Sequence, residues 1–191
     1  MSESTVLYEE RGAVALVTLN RPQALNSLNH QMHRELWAHL DQAEANKAIR
    51  AMVITGAGRG FCAGADLSEF DFTDGPDRIQ RADPGPVIER SFNPTVRRLQ
   101  ALRMPVIAAV NGVAAGAGAS LAMTCDIAIA APGASFIQAF SKIGLIPDAG
   151  GSWLLVERLG LARAMTLAMT GDKLGAQQAK EWGMIWDVAD D

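Results

Sequence analysis

The chain carries no charged side chain from Pro105 to Cys125, and this run restricts the possible folds more than any other segment. About 20 apolar residues in a row can cross a membrane, so a membrane span is one interpretation. The pair Asn111-Gly112 and the glycines at 116 and 118 interrupt the run, however, and such residues favour turns. We therefore interpret it as a buried strand followed by a buried helix in a globular protein.

Strands and helices alternate along the chain. Apolar runs typical of β-strands occupy residues 14–19, 49–55, 105–110 and 127–131. Apolar residues at helical spacing predict one helix that begins near Asn29, one over 87–102 and one over 117–124. This alternation predicts βαβ units, and therefore an α/β fold with a layered, mostly parallel sheet and surrounding helices. Ligand sites in such sheets lie at the carboxyl ends of the strands.

Length and segment composition predict one domain. The chain has 191 residues, 49% of them hydrophobic, which is enough for one full core. The segment between Asp71 and Arg90 is rich in charges and turn formers, but the α/β pattern resumes after it. We therefore predict a mobile surface segment there, not a linker, and a single domain over 1–191.

Charge and cysteine content narrow the class of partner. The net charge of −4, the pI near 5.4 and the lack of a Lys/Arg cluster argue against nucleic acid and membrane surfaces and favour a small molecule. Two cysteines, Cys62 and Cys125, cannot form a disulfide framework, and the first residues are polar and acidic, so we expect a cytoplasmic protein. His30, His33 and His39 lack Cys, Asp or Glu partners at ligand spacing, so we interpret them as a solvated helix face and predict no metal ion.

Two turns built from small residues follow predicted strands. They cover 62–66 and 112–118, and the second opens the predicted helix 117–124. Free N–H groups at a helix start stabilise negative charge, so two such turns could bind a developing oxyanion. Neither turn has the Gly-Lys-Ser/Thr ending of a phosphate loop, and the dinucleotide spacing G-x-G-x-x-G is not matched. Glycines that only allow close packing of strand and helix remain the alternative.

Asp148 is the strongest candidate for catalysis. It stands on a turn set by Pro147 and Gly150-Gly151, in an almost charge-free half of the chain. A carboxylate in such apolar surroundings must be solvated, paired or engaged in chemistry. The alternative is an aspartate that orders its own turn through backbone hydrogen bonds.

Four motifs resemble the crotonase, or enoyl-CoA hydratase/isomerase, superfamily. They are TLNRPQALN at 18–26, FCAGADL at 61–67, VNGVAAGAG at 110–118 and CDIAIA at 125–130, and the match covers 14–191. The resemblance implies repeated ββα units and an acyl-CoA partner, with no separate cofactor because coenzyme A is part of the substrate. It implies that the N–H groups of Ala65 and Ala117 stabilise a thioester enolate. The implied substrate contacts are Ala24, Ala63, Gly64, Asp66, Leu67 and Gly116.

Departures from the family pattern narrow the implied activity. Hydratases of the family use two glutamates to handle water, and Ser120 and Phe140 stand at the corresponding positions, so hydration of 2-enoyl-CoA is not expected. Asp148 stands where some isomerases of the family keep an aspartate, and one carboxylate can move a proton between two carbons. The resemblance therefore implies an acyl-CoA isomerase that shifts 3-enoyl-CoA to 2-enoyl-CoA. Segments 87–99, 140–155 and 181–186 resemble the isomerases that rearrange a ring epoxide of an arylacetyl-CoA.

Two other interpretations stay open at this point. One is a different enzyme of the same fold, such as an enoyl-CoA hydratase, a dienoyl-CoA isomerase or an acyl-CoA hydrolase. The other is a non-catalytic acyl-CoA-binding subunit. In either case the resemblance implies a homotrimer or a dimer of trimers. It also implies that the C-terminal helices with which family members build trimers are largely missing from 1–191.

Overall fold

Two β-sheets form the frame of the protein. The computed structural model describes residues 4–71, 75–77 and 83–190. The strands are β1 (Val6–Arg11), β2 (Val14–Leu19), β3 (Ala51–Gly56), β4 (Gly60–Cys62), β5 (Val106–Val110), β6 (Val113–Ala115), β7 (Ile127–Ala130), β8 (Ser135–Ile137), β9 (Lys173–Gly175) and β10 (Asp187–Val188). Within these ranges the larger sheet has the order β1-β2-β3-β5-β7-β10, and the smaller sheet has the order β4-β6-β8-β9.

Helices connect and cover the strands. They are α1 (His30–Ala45), α2 (Gly85–Val87), α3 (Asn93–Gln100), α4 (Ala117–Thr124), α5 (Gly151–Leu159), α6 (Leu161–Thr170) and α7 (Ala176–Glu181). Short 3₁₀ turns cover Pro22–Ala24, Leu67–Glu69 and Ala139–Ile143, and a π-helical turn covers Ile88–Phe92. In the part of the chain that the structure describes, no helix is long and apolar enough to cross a membrane.

Each central strand of the larger sheet leads into a short strand of the smaller one. β3 is followed by β4, β5 by β6, and β7 by β8. Neighbouring strands are parallel except for β1 with β2 and β8 with β9. The predicted α/β fold with a mostly parallel sheet is thus confirmed, and β5, β6 and α4 form one ββα unit.

The four predicted strands correspond to β2, β3, β5 and β7. The strands β1, β9 and β10 were not predicted, and neither were the three short strands β4, β6 and β8. Each of these three has only three residues, which is too short to show an alternating pattern. Segment 62–66 begins at the last residue of the short strand β4, which lies between it and the predicted strand 49–55. Segment 112–118 comes directly after β5, as predicted, but it contains the short strand β6 before α4 begins.

The helix predicted from Asn29 is confirmed as α1. Asn29 caps it, because its side-chain oxygen accepts the N–H of Met32 at 2.9 Å. Its buried residues include four that repeat at helical spacing, Met32, Leu36, Leu40 and Ala43.

The helix predicted over 87–102 is not one regular α-helix. It begins at Gly85 and passes through the π-helical turn, where Asn93 N–H donates to the carbonyl of Ile88. Pro94 has no N–H, and its ring would clash with the carbonyl four residues earlier in an α-helix, so the wider turn relieves the clash. The surface segment predicted between residues 71 and 90 therefore ends earlier than expected, and its residues 72–74 and 78–82 lie outside the described ones.

The prediction of a solvated histidine face is wrong for His33, which is 1% exposed. Its Nδ1 lies 2.8 Å from the hydroxyl of Thr95, which uses its own hydrogen on the carbonyl of Ser91. His33 therefore donates through Nδ1–H, and its Nε2 is buried without a partner among the described residues. Burial first, and the charge of His30 second, lower the pKa of His33 to about 4. Sequence spacing cannot show this, because α3 supplies the covering side chains.

The first turn of α4 lies directly against the end of β4. A Cβ on Gly118 would come within 2.0 Å of the carbonyl oxygen of Cys62, closer than any side chain can approach. A Cβ on Gly64, whose φ is +95°, would come within 2.8 Å of the carbonyl oxygen of Ala115. Glycine at these two positions allows the two small-residue turns to touch through their backbones.

Acidification should destabilise the protein through His33. Its pKa is lower in the folded chain than the ordinary value of 6.5, so the stability that it contributes above pH 6.5 is lost as the pH falls towards 4. Between pH 7 and pH 5 we expect the unfolding free energy to fall by about 2 kcal/mol more than in His33→Asn, which keeps an N–H donor but does not titrate. Urea unfolding at several pH values measures this. His39→Asn is the control, because it removes another histidine of α1 that is not among the causes of the His33 shift. Equal pH dependence in His33→Asn and the wild-type protein would contradict the prediction.

Gly118→Ala should unfold at a lower temperature than the wild-type protein, although alanine is the better helix former. The added methyl group forces α4 away from β4, and overpacking of this kind costs about 1–3 kcal/mol, or roughly 5 °C in Tm at this chain length. Gly133→Ala is the matched control, because a Cβ there meets no described atom within 4 Å. Thermal unfolding followed by circular dichroism compares them. Equal Tm values for the two variants would show that α4 moves without cost.

Candidate active site

A cavity of about 1080 Å³ opens where the two small-residue turns meet. Its wall includes Ala65, Ala117 and Asp148, so the structure brings together the three residues predicted to be catalytic. Asp83 and Lys142 are the other ionisable side chains among its described lining residues. The rest of the described wall is Ala63, Gly64, Leu67, Phe70, Gly75, Pro76, Pro84, Ile88, Phe92, Gly116, Ala139, Phe140, Ile143, Gly144 and Leu145.

The N–H group of Ala65 is left free by the pairing of its turn. Leu28 N–H donates to the carbonyl of Gly64 at 2.7 Å, and Asp66 N–H donates to the carbonyl of Leu28 at 3.0 Å. These bonds form an isolated parallel bridge between Leu28 and Ala65, in which Ala65 points its own N–H away from its partner. Among the described residues it has no acceptor, so it is available at the cavity wall.

The N–H group of Ala117 has no acceptor in the described ranges, because α4 begins there and the first N–H groups of a helix have no partner within it. Ser120 N–H is the first to bond along the helix, to the carbonyl of Gly116 at 3.1 Å. A Cβ on Gly64 would lie 3.3 Å from the Ala117 nitrogen, so the two turns are in contact. The free N–H groups of Ala65 and Ala117 thus border the same space, with the helix dipole behind one of them, and this arrangement stabilises negative charge.

A tight turn holds Asp148 on the cavity wall. Ala149 and Gly150 have φ values of 48° and 80°, and Gly151 N–H donates to the carbonyl of Asp148 at 2.7 Å. The Oδ1 atom of Asp148 is buried and has no partner among the described residues. Burial raises the pKa of Asp148 to about 6, against a smaller opposing effect of its own backbone N–H. Desolvation, not a charged neighbour, is therefore the cause of the shift.

Phe140 and Ser120 stand at the two positions where hydratases carry glutamates, and their side chains point in different directions. Phe140 is 5% exposed and lines the cavity. Ser120 is fully buried outside the described wall, and its hydroxyl donates to the main-chain carbonyl of Asp148 at 3.1 Å. The second carboxylate among the described wall residues is Asp83, which accepts the N–H of Gly85 at the start of α2. No cluster of His, Cys, Asp or Glu in the described ranges could hold a metal ion.

The predicted substrate contacts fall into two groups. Ala24 and Asp66 are not part of the described cavity wall. The carboxylate of Asp66 pairs with Arg21 at 2.7 Å and accepts the N–H of Ser68 at 3.0 Å. Burial alone would raise the pKa of Asp66, but the hydrogen bonds from Ser68 and Arg21 outweigh it and lower the pKa. The contacts that do line the cavity are Ala63, Gly64, Leu67 and Gly116.

Sequence reasoning missed the apolar part of the wall. Ile88 and Phe92 reach it from the π-helical turn, and Phe70 and Leu145 come from irregular segments. Phe92 lies within the helix predicted over 87–102, but an apolar residue at helical spacing fits a core and a cavity equally well. Lys142 follows a long uncharged stretch, yet it belongs to no motif that would have marked it.

Residues 9–191 match the family described as enoyl-CoA hydratase/isomerase. The chain is 55% identical over its full length to the 1,2-epoxyphenylacetyl-CoA isomerase of Escherichia coli K12, and covers 71% of that protein. It is 43% identical to a Rhodobacter capsulatus protein named "Probable enoyl-CoA hydratase", with the same coverage.

The fold is similar to that of a solved structure of this class. The crystal structure of enoyl-CoA hydratase from Bacillus anthracis superimposes with a TM-score of 0.86 at 34% identity, over 97% of this chain and 70% of that one. The resemblance that the four motifs indicated is therefore confirmed. The chain belongs to the enoyl-CoA hydratase/isomerase family.

Proposed function

We propose that the protein is an isomerase of acyl-CoA thioesters. The observation that carries this proposal is that two N–H groups without acceptors among the described residues, of Ala65 and Ala117, and the half-buried carboxylate of Asp148 line one cavity. The N–H groups bind the thioester oxygen as an oxyanion hole, and the carboxylate moves a proton. The 55% identity to a protein named as an isomerase supports this assignment over other reactions of the family.

The reaction with a 3-enoyl-CoA consists of two proton transfers. Asp148 takes a proton from C2, and the electron pair of the broken C–H bond moves to the thioester oxygen, where Ala65 and Ala117 stabilise it. Asp148 then returns the proton to C4. The thioester carbonyl re-forms, and the double bond lies between C2 and C3. Water takes no part.

The environment of Asp148 suits both transfers. Its pKa of about 6 leaves most of the carboxylate ionised at neutral pH, so that it can accept a proton. The same raised pKa makes it a stronger base than an exposed aspartate and keeps it close to the pH at which it works. Apolar surroundings thus give one residue the roles of base and acid in turn.

We infer that the natural substrate is ring-1,2-epoxyphenylacetyl-CoA, which rearranges to oxepin-CoA. In this isomerisation the C–C bond that the epoxide shares with the six-membered ring breaks and the ring double bonds shift, so that one seven-membered ring containing the oxygen forms without gain or loss of atoms. Phe70, Phe92 and Phe140 lie in the cavity wall and offer aromatic contacts to such a ring. The name of the Escherichia coli relative supports the same substrate class.

Hydration of 2-enoyl-CoA is the second candidate, because the Rhodobacter capsulatus relative is named for it. It requires a group that activates water, and the cavity presents the ring of Phe140 at one of the two glutamate positions. Release of 3-hydroxyacyl-CoA from a 2-enoyl-CoA would favour hydration over isomerisation. Tight acyl-CoA binding without any turnover would favour a non-catalytic subunit.

The assembly and the cellular location stay predictions. A homotrimer or a dimer of trimers fits the exposed apolar stripe on α6, where Leu161, Met165 and Met169 are 64%, 49% and 70% exposed. Apolar stripes of this kind are typical of protein interfaces. A cytoplasmic location and the lack of a metal or separate cofactor also remain predictions.

Asp148→Asn should remove most of the isomerisation. The amide fills the same space but cannot accept a proton, and a general acid–base group contributes about 10²–10⁴ in rate. The assay incubates each protein with a 3-enoyl-CoA in deuterated water and follows 2-enoyl-CoA formation and deuterium uptake. Asp83→Asn is the matched control, because it neutralises the other described carboxylate of the wall while asparagine can still cap α2.

The same assay tests the ionisation of Asp148. Because the ionised form takes the first proton and the pKa is raised to about 6, kcat/KM should be level above that pH. Below it, kcat/KM should fall about tenfold per pH unit. Full activity of Asp148→Asn, or a pH profile that stays level down to pH 4, would contradict the proposed role.

Ala117→Pro should slow isomerisation with little effect on folding. Proline lacks the N–H group but fits the first position of an α-helix, and loss of one oxyanion donor costs about 10²–10³ in kcat. Leu161→Pro is the matched control, because Leu161 begins α6, is exposed, and follows a glycine of positive φ as Ala117 does. The kcat of each variant is compared with its Tm. Equal kcat values for the two variants would rule out the Ala117 N–H as a donor.

A further inference from the structure

Ser120 lies between the two halves of the site without touching the cavity. It stands one helical turn after Ala117 on α4 and is fully buried. Its hydroxyl donates to the main-chain carbonyl of Asp148 at 3.1 Å. The same carbonyl accepts the N–H of Gly151 at 2.7 Å, so both donors fix the backbone of the catalytic turn.

The carboxylate of Asp148 depends on this backbone contact for its orientation. Its Oδ1 is buried and has no hydrogen-bond partner among the described residues. The turn that carries it contains Ala149 at φ 48°, a conformation that a residue with a side chain keeps only when its surroundings hold it there. The position of the carboxylate is therefore set through the peptide group of Asp148.

The contact between α4 and the turn is close. A Cβ on Gly151 would lie 2.6 Å from the Ser120 hydroxyl oxygen, so a side chain at 151 would push the turn away from α4. Pro147 packs on the other side, 3.3 Å from the same point. There is room for the hydroxyl of Ser120 and for little else.

A comparison with Thr124 shows that the hydroxyl of Ser120 makes an unusual hydrogen bond, one that leads out of its own helix. Both residues lie on α4 and are buried. Thr124 donates to the carbonyl four residues earlier, that of Ser120, at 2.9 Å, which is the local bond that hydroxyl side chains in helices commonly make. Ser120 instead reaches out of its own helix to the turn of Asp148.

We propose that Ser120 is a positioning residue, which fixes the carboxylate of Asp148 relative to the oxyanion donor of Ala117. One rigid turn of α4 carries the Ala117 N–H at its start and the Ser120 hydroxyl at its end, so the two chemical groups are held at a constant separation. The inference rests on the proposed function. It assigns this role to the position at which hydratases of the family carry a glutamate.

The test compares Ser120→Ala with Thr124→Val, which removes a hydroxyl from the same helix without touching the turn. In the 3-enoyl-CoA assay we expect Ser120→Ala to lower kcat about 10- to 100-fold, because small displacements of reacting groups are costly, and to change KM little. Thr124→Val should keep the wild-type kcat. A second readout is the pKa of Asp148, measured by ¹³C NMR of labelled aspartate and assigned with Asp148→Asn.

The NMR readout separates positioning from simple stabilisation. A released turn admits water to the carboxylate, so the pKa of Asp148 should fall towards its ordinary value in Ser120→Ala and stay unchanged in Thr124→Val. If Ser120→Ala does not fold, Ser120→Cys, a weaker donor, replaces it in both measurements. A wild-type kcat and a wild-type pKa in the Ser120 variant, or equal losses in both variants, would overturn the inference.

The experiment also distinguishes failure of the proposed function. A wild-type protein that does not isomerise any 3-enoyl-CoA would contradict that function, whereas the pKa of Asp148 can still be measured. A shift confined to the Ser120 variant would then support the positioning role. No shift would overturn it independently of the reaction.

Discussion

The active-site geometry depends on one backbone contact, between Gly118 at the start of α4 and the carbonyl of Cys62 at the end of β4. Because no side chain separates them, the smaller sheet and the helix meet at the closest distance that polypeptide chains allow. That contact brings the turn with Ala65 next to the turn with Ala117. The same contact sets the position of α4 relative to the smaller sheet. It therefore also sets where the hydroxyl of Ser120 contacts the turn of Asp148. A site assembled from three distant parts of the chain is thus fixed by one helix.

The polar groups of this site are arranged at the expense of stability. The Oδ1 of Asp148 is buried without a partner among the described residues, and a buried unpaired group of this kind costs about 1–3 kcal/mol, whereas the N–H groups of Ala65 and Ala117 border the cavity. A folded protein keeps such groups when a well-packed frame offsets the cost. Here the frame consists of the central strands and of the buried face of α1, whose buried side chains are mostly apolar. Different groups therefore serve stability and binding. Apolar side chains stabilise the fold, and the backbone N–H groups at the cavity wall, which have no partner among the described residues, are available to a substrate.

Elements with a long apolar pattern could be predicted from sequence, and elements defined by contact could not. The strands at 14–19, 49–55, 105–110 and 127–131 and the helix that begins at 30 were recognisable from their apolar runs and spacing, and the fully buried helix that begins at 117 from the uncharged run that glycines interrupt. The helices α5, α6 and α7 were not predicted. The three-residue strands β4, β6 and β8 have no period, and only pairing defines them. His33 looked like a surface residue because its covering partner Thr95 lies far along the chain. Asp148 was found because a lone carboxylate in apolar sequence is unusual. The aromatic wall was missed because nothing distinguishes a core phenylalanine from one that lines a cavity.

Backbone donors explain how such a site can change its reaction without changing its fold. The N–H groups of Ala65 and Ala117 are fixed by the path of the chain, so substitutions at neighbouring side chains leave them in place. Under the proposed function, the side chains at 120, 140 and 148 determine the fate of the stabilised enolate. Phenylalanine at 140 presents a ring where a carboxylate would hold water, and serine at 120 turns from the cavity to support its neighbour. Under the proposed function, neither position 120 nor position 140 offers a carboxylate to activate water, so the proton that Asp148 takes returns to carbon. The proposed isomerisation therefore follows from the side chains that occupy these two positions as much as from Asp148.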